Sequence, residues 1–176
     1  MSGKTGIIYT GVPSAEELAA CPGVPSKERM KKGRVAVIEC VQEIPCNPCA
    51  GACPFGAIHI GEQITNLPCL EEETCTGCGQ CIVQCPGLAI TVVDKAFGEG
   101  EASIDFPFEY LPLPEAGDVV EAVSRGGKPL CQGRILKVLK RPAYAGTTVI
   151  SMAVPLEYVD EVRSMKRLPV TDREGA

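Results

Sequence analysis

The sequence predicts an α+β protein with a duplicated core and a β-rich C-terminal part. Three observations indicate this class. Two cysteine motifs recur at an offset of 32 residues, each has a short apolar segment on either side, and the last third of the chain alternates apolar and polar residues as strands do. We predict an N-terminal arm over residues 1–33, the duplicated core over 34–97 and a β-rich unit over 98–176.

The composition excludes several classes of function. Apolar residues make up 45% of the 176 residues, which argues against disorder. The net charge of −5 argues against a nucleic-acid surface. No apolar run is long enough for membrane insertion, and the N-terminus lacks a secretory pattern. We therefore expect a cytoplasmic protein, in which the odd number of eleven cysteines indicates metal binding rather than disulfides.

The cysteine spacing indicates which metal chemistry to expect. The second motif reads C-x2-C-x2-C-x3-C-P, the signature of bacterial iron–sulfur proteins, and the first reads C-x2-C-x3-C-P. The cysteines are Cys75, Cys78, Cys81 and Cys85 in the second motif and Cys46, Cys49 and Cys53 in the first. Three closely spaced thiolates can bind three irons of a cubane, and a remote cysteine must bind the fourth. Structural zinc is an alternative, but it requires neither the third cysteine nor the Cys-Pro pair.

The repeat extends beyond the cysteines, since Cys53-Pro-Phe-Gly-Ala-Ile-His-Ile parallels Cys85-Pro-Gly-Leu-Ala-Ile-Thr-Val. Residues 34–95 thus resemble a bacterial-type two-cluster ferredoxin domain. The resemblance implies a two-fold pseudo-repeat of strand, cluster loop, short helix and strand. The expected strand pairs are 34–39 with 90–93 and 57–61 with 66–70. Two [4Fe-4S] clusters are implied, each with a remote cysteine from the other motif. Cluster B then has the ligands Cys53, Cys75, Cys78 and Cys81.

Cluster A departs from the family pattern at its first ligand. The matching position holds Glu43, and Cys40 lies three residues earlier, at the end of an apolar strand. We predict that Cys40 completes this cluster through a longer loop. The other ligands are Cys46, Cys49 and Cys85. A Glu43 carboxylate, recruitment of Cys69 and a three-iron cluster are alternatives, although a carboxylate is a harder donor than a thiolate and suits such a cluster less well.

The N-terminal arm contains two helix-start patterns. Ser14 and Glu17 fit a capping box before a short helix, and Ser26 precedes a second helical turn. We interpret residues 1–33 as an arm that lies over the core or over another subunit.

Residues 98–176 are predicted to form a small β-barrel-like docking unit. A polar, flexible connection at 97–101 leads into a strand that is predicted to be of edge type because it contains Pro107. Three further strands are predicted, at 118–123, 130–140 and 147–154. The unit is predicted to end in a helix that begins at Pro155.

Electron transfer is the function that the clusters predict, because such clusters take up one electron at a time. The chain has no GxGxxG or GxxxxGK[ST] motif, so we expect a non-catalytic subunit without its own nucleotide or flavin. The run from Gly33 to Cys49 is also similar to the small iron–sulfur subunits of multi-subunit flavin-dependent dehydrogenases of amino acids, imino acids or amines. That resemblance implies FAD-containing dehydrogenase partners, which would hold the FAD or other flavin. A stand-alone soluble electron carrier and a structural metal protein are the alternatives.

Overall fold

A computed structural model describes residues 4–144 and 146–170. The helices are α1 (Ile7–Thr10), α2 (Ala15–Ala20), α3 (Lys27–Met30) and α4 (Pro48–Ala52), with 3-10 turns at Pro142–Tyr144 and Leu156–Tyr158. The strands are β1 (Val35–Ile38), β2 (Ile58–His59), β3 (Cys69–Leu70), β4 (Ile90–Gly98), β5 (Glu101–Phe108), β6 (Val119–Ser124), β7 (Pro129–Leu139), β8 (Thr148–Pro155) and β9 (Val162–Met165). No helix in this part of the chain is both long and apolar enough to cross a membrane.

One antiparallel sheet of seven strands joins the core to the C-terminal part of the chain. Its strand order is β1-β4-β5-β8-β7-β6-β9, and β2 and β3 form a separate two-stranded sheet. β1 pairs with β4, with Val35 opposite Val93, and Ile58 of β2 pairs with Leu70 of β3. Both strand pairs expected for the repeat are therefore present. β9 also packs against β5, so the far edge of the large sheet curls back towards its middle.

The hydrophobic core follows the strands that are buried on both faces. All four residues of β1 are at most 2% exposed, and seven of the eight residues of β8 are buried. Such strands appear in the sequence as nearly continuous apolar runs, which is how the segment Val35–Ile38 reads. β1 is therefore held rigidly by the core, and the cysteine-bearing loops are built next to it.

Two expectations about residues 97–108 are wrong. The expected flexible connection is the turn of a hairpin, in which Gly98 pairs with Glu101. The strand that contains Pro107 lies inside the sheet, between β4 and β8. Proline is tolerated there because the pairing with β4 ends at Asp105, so Pro107 lies beyond the end of that ladder. The boundary at 97/98 stays a prediction, although one sheet contains strands from both sides of it.

The predicted C-terminal helix is also wrong. Pro155 ends β8, a single 3-10 turn follows, and Val162–Met165 forms β9 against the free edge of β6. Met165 pairs with Ala122, and both Val162 and Met165 are buried. The threefold apolar spacing arises from side chains that face one core, and the available strand edge favours an extended backbone over a helix.

The N-terminal arm is built as its patterns predict, and its second half lies on the core. Ser14 and Glu17 form the capping box of α2, with Glu17 N–H donating to Ser14 Oγ over 3.2 Å. Further along, Ile38 N–H donates to the Gly23 carbonyl over 3.0 Å. A Cβ on Gly23 would lie 2.7 Å from the Ile38 carbonyl oxygen. The arm thus approaches β1 so closely that only glycine fits at this position.

Candidate metal centre

Four cysteines line a first cavity, of about 310 Å³ including the open space at its mouth. They are Cys53, Cys75, Cys78 and Cys81, the residues predicted for cluster B. Cys81 is buried, whereas Cys78 is exposed and marks the open side of the cavity. Cys53 comes from the end of α4, and the other three come from the loop that follows β3. The folded chain therefore brings the remote cysteine of the first motif to the three local cysteines of the second.

Four other cysteines line a second cavity, of about 380 Å³ including its mouth. They are Cys40, Cys46, Cys49 and Cys85, the residues predicted for cluster A. Its walls are largely apolar and include Ile38, Ile44, Ile60 and Ile90. Here the remote cysteine, Cys85, comes from the second motif. The chain thus places Cys40 at the cavity in spite of its shifted position in the sequence.

The alternative ligands for cluster A lie elsewhere. Neither Glu43 nor Cys69 is among the residues that line the second cavity. Cys69 is exposed in β3, opposite His59, so the expectation of a core position for Cys69 is wrong. Within residues 4–144 and 146–170, no three His, Cys, Asp or Glu side chains are placed to bind one metal ion together. The assignment of ligands stays a prediction.

Backbone N–H groups point at the cysteine sulfurs in matching places of the two repeats. Ala57 N–H donates to Cys53 Sγ over 3.2 Å, and Ala89 N–H donates to Cys85 Sγ over 3.4 Å. Ala36 of β1 donates to Cys75 Sγ over 3.4 Å. Such contacts stabilise thiolates and help to set the potential of a bound cluster. With four thiols at each cavity and amide donors at three of the sulfurs, the residues present fit iron–sulfur clusters.

Burial keeps several of these thiols protonated in the absence of iron. Burial raises the pKa of Cys81 to about 12, and the neighbouring thiols of Cys75 and Cys78 act in the same direction. Burial also raises the pKa of Cys40 and of Cys49. Because only thiolates ligate iron, binding of a cluster must release protons and is coupled to folding of the loops.

An ion cluster that the sequence analysis missed holds the residue before Cys40. Glu39 is a buried carboxylate at the end of β1, and it accepts hydrogen bonds from Arg125 Nε over 2.7 Å and from Arg163 Nε over 2.9 Å. Burial acts to raise the pKa of Glu39, but the two arginines outweigh it and hold that pKa below its usual range. No local pattern announces this cluster, because its members are 86 and 124 residues apart in the chain.

The remaining cysteines lie outside both cavities. Cys21 is buried, and its thiol donates to the Ile38 carbonyl over 3.3 Å, although the sequence indicated only a loop residue. Cys131 is partly buried in β7 and packs against the core, as predicted for a small apolar residue. The exposed side chain of His59 agrees with its predicted place at the surface.

Gly77 is expected to tolerate no side chain, because its loop presses against β1. Gly77 has φ +66°, and a Cβ there would lie 2.7 Å from the carbonyl carbon of Arg34. We expect Gly77→Ala to destabilise the protein by more than about 2 kcal/mol and to weaken cluster B, since backbone cannot move aside cheaply. Iron retention and thermal unfolding measure both effects.

Gly79 provides the matched control for Gly77. It also has positive φ, at +80°, but a Cβ there would meet only the Ile82 Cδ1 atom, at 3.5 Å. We expect Gly79→Ala to cost about 1 kcal/mol, which is the strain of the left-handed backbone alone. Equal losses in the two variants would contradict the role of the contact with Arg34.

Comparison with known proteins identifies the class of this core. The chain is 46% identical over 48 residues to one subunit of the Na⁺-translocating ferredoxin:NAD⁺ oxidoreductase complex of Acetobacterium woodii, which covers 27% of this chain and 14% of the relative. It is 44% identical over 48 residues to the polyferredoxin-like subunit of the aliphatic sulfonate oxidoreductase of Pyrococcus furiosus, covering 27% of each chain. It is 36% identical over 78 residues to an uncharacterized ferredoxin of Methanocaldococcus jannaschii, covering 40% of this chain and 45% of the relative.

These relatives show that the chain contains a ferredoxin-type iron–sulfur domain, the kind of domain that carries electrons. The chain spans less than half the length of each of the three. No family model matches the chain. No solved structure matches it significantly.

Proposed function

We propose that this protein is the electron-transfer iron–sulfur subunit of a multi-subunit flavin-dependent oxidoreductase. It would hold two [4Fe-4S] clusters and relay single electrons between a flavin, such as FAD, on a partner dehydrogenase chain and a second acceptor. The observation that carries the proposal is the pair of four-cysteine cavities, each completed by a cysteine of the other motif. Clusters of this kind supply one-electron chemistry when bound.

The two cavities are close enough together to support a relay. Ala36 lines the first and Ile38 lines the second, and these residues lie on the same face of β1. Two residues of strand correspond to about 6–7 Å. The same spacing recurs between Ile58 and Ile60, which line the first and the second cavity. An electron could therefore pass between two bound clusters through a short, packed stretch of protein.

A permanent partner is supported by the parts of the chain outside the core. The arm and the C-terminal strands add most of the chain's length to a domain that needs neither of them to hold clusters. The relatives from A. woodii and P. furiosus are named as subunits of oxidoreductase complexes. On the open side of the first cavity, the exposed Cys78 lies with Phe55, which is 51% exposed, so a partner could approach this site directly.

Iron and sulfide analysis of anaerobically purified protein tests the cluster content. We expect about eight irons and eight acid-labile sulfides per chain, with electron paramagnetic resonance (EPR) signals of two clusters after reduction. Cys81→Ser is expected to remove cluster B, whereas Cys131→Ser, outside both cavities, should leave the iron content unchanged. Zinc in place of iron, or an iron content unaffected by Cys81→Ser, would contradict the proposal.

Purification at native abundance tests the partner. A flavoprotein that co-elutes with this chain, and whose flavin is reoxidised through it, is the expected result. A free monomer without flavoprotein would instead support the stand-alone soluble carrier. Measuring the substrate that reduces the co-eluting flavin would then distinguish amino acids, imino acids and amines.

A further inference from the structure

The side chain of Arg29, in α3 of the arm, is buried beside the loop of cluster B. It is only 8% exposed, and its guanidinium donates four hydrogen bonds, all of them to backbone carbonyls. The acceptors are Glu72 at 2.8 Å, Gly33 at 3.2 Å, Arg34 at 3.0 Å and Cys75 at 2.7 Å. One guanidinium therefore joins the arm, the start of β1 and the first cysteine of the second motif.

The charge of Arg29 is not balanced by a carboxylate at contact distance. Among residues 4–144 and 146–170, the ion pairs within 4.0 Å do not include Arg29, whereas Arg34 pairs with Asp105 and Arg163 pairs with Glu39. The Glu72 carboxylate binds Ser26 instead, at 2.6 Å from its N–H and 2.8 Å from its Oγ. A buried cation without a counter-charge is costly, so an anion is expected close by.

The cavity lined by Cys75 is where such an anion would be. Four thiolates outweigh the positive charge of an iron–sulfide core, so a bound cluster is an anion, and it gains one further negative charge when it takes up an electron. Arg29 contacts the carbonyl of Cys75, and Cys75 Sγ accepts the N–H of Ala36. The attraction between a cation and the cluster grows on reduction and is strong at low dielectric.

We propose that Arg29 is the counter-charge of cluster B and raises its reduction potential, so that the N-terminal arm is part of the redox centre. This inference rests on the proposed function, because it requires a cluster held by Cys53, Cys75, Cys78 and Cys81. The carbonyl contacts fix the guanidinium in place, and its unpaired charge then favours the reduced state. The arm is accordingly held more firmly when cluster B is reduced.

The first test is a potentiometric titration of both clusters, followed by EPR. In Arg29→Met, we expect the ratio of reduced to oxidised cluster B, at the wild-type midpoint potential, to fall at least tenfold, which corresponds to about 59 mV for one electron. Arg29→Lys keeps the charge and should stay within about threefold of the wild type. The potential of cluster A serves as the internal reference.

Two results would overturn the inference. One is an unchanged midpoint of cluster B in Arg29→Met, and the other is an equal shift in the methionine and lysine variants, which indicates a purely structural role. Absence of both clusters from the wild-type protein would instead refute the proposed function. The two failures are therefore distinguishable.

A second test needs no variant and covers the case in which Arg29→Met does not fold. Amide hydrogen exchange of residues 26–33 is compared in the wild-type protein with both clusters oxidised and with cluster B reduced. We expect slower exchange in the reduced protein, because the counter-charge is then attracted more strongly. Residues 119–124 of β6 line neither cavity and serve as the control. Equal or faster exchange of residues 26–33 on reduction would contradict the inference.

Discussion

Replacing Cys40 with alanine is expected to remove or convert cluster A while cluster B stays intact. Cys40 lines the second cavity with Cys46, Cys49 and Cys85, although the family pattern would place this ligand three residues later. A thiolate cannot be replaced by a methyl group as an iron ligand, so the variant should lose up to half of its iron. Iron analysis and the EPR spectrum of the anaerobic, reduced protein measure the loss cluster by cluster.

Two control variants separate Cys40 from its rivals. Glu43→Gln removes the carboxylate that occupies the expected ligand position, and Cys69→Ala removes the exposed thiol of β3. Both should keep the full iron content, because neither residue lines the cavity. If Cys40→Ala kept both EPR signals while either control lost one, the assignment of Cys40 would be wrong.

Replacing Glu39 with alanine is expected to be the most destabilising single change outside the cysteines. Its carboxylate binds two arginines, of which Arg163 has only 14% of its side chain exposed. Removing one partner of a buried ion pair leaves an uncompensated charge and typically costs about 3–5 kcal/mol. The free energy of unfolding, measured with denaturant under anaerobic conditions, should fall by that amount. The EPR signal of cluster A should weaken too, since Glu39 precedes Cys40.

Glu73→Ala is the matched control for Glu39→Ala. Glu73 forms an ion pair with Lys32 over 2.8 Å, but the two side chains are 68% and 59% exposed. Exposed pairs contribute only about 0–1 kcal/mol, so this variant should be nearly as stable as the wild type. Similar losses in the two variants would show that burial of the Glu39 cluster does not matter.

The effect of Glu39 should also depend on pH. Its pKa is lower in the folded protein than in the unfolded chain, where a glutamate has a pKa of about 4.3. The stabilisation is thus complete above the unfolded value and is lost as the pH falls through the folded value. The difference in unfolding free energy between wild type and Glu39→Gln should be constant from about pH 7 to pH 5 and shrink at lower pH.

Features coded by neighbouring residues were predictable. The capping box of α2 depends on Ser14 and Glu17, which are three residues apart, and the structure contains it. The strand pairs of the repeat were predictable as well, because duplicated cysteine motifs fix where the flanking strands begin and end. The position of Cys40 at the cavity followed from the apolar strand that ends just before it.

Features that depend on distant partners were missed or predicted wrongly. A proline within a strand pattern indicates an edge strand, yet Pro107 lies inside the sheet, beyond the end of its pairing with β4. The segment Val162–Met165 has helical spacing but forms a strand, because β6 offers it an unpaired edge. Propensity is a weak guide for such short segments when tertiary contacts compete with it.

By itself, the sequence determined the chemistry of this protein, since the spacing of iron–sulfur ligands is a local property of two short loops. Only the tertiary structure decided which charges surround those loops. Arg29 reaches carbonyls up to 46 residues away, and Glu39 binds arginines 86 and 124 residues away. Buried charges must find partners wherever the chain brings them, so their pairing follows from packing and cannot be read from spacing.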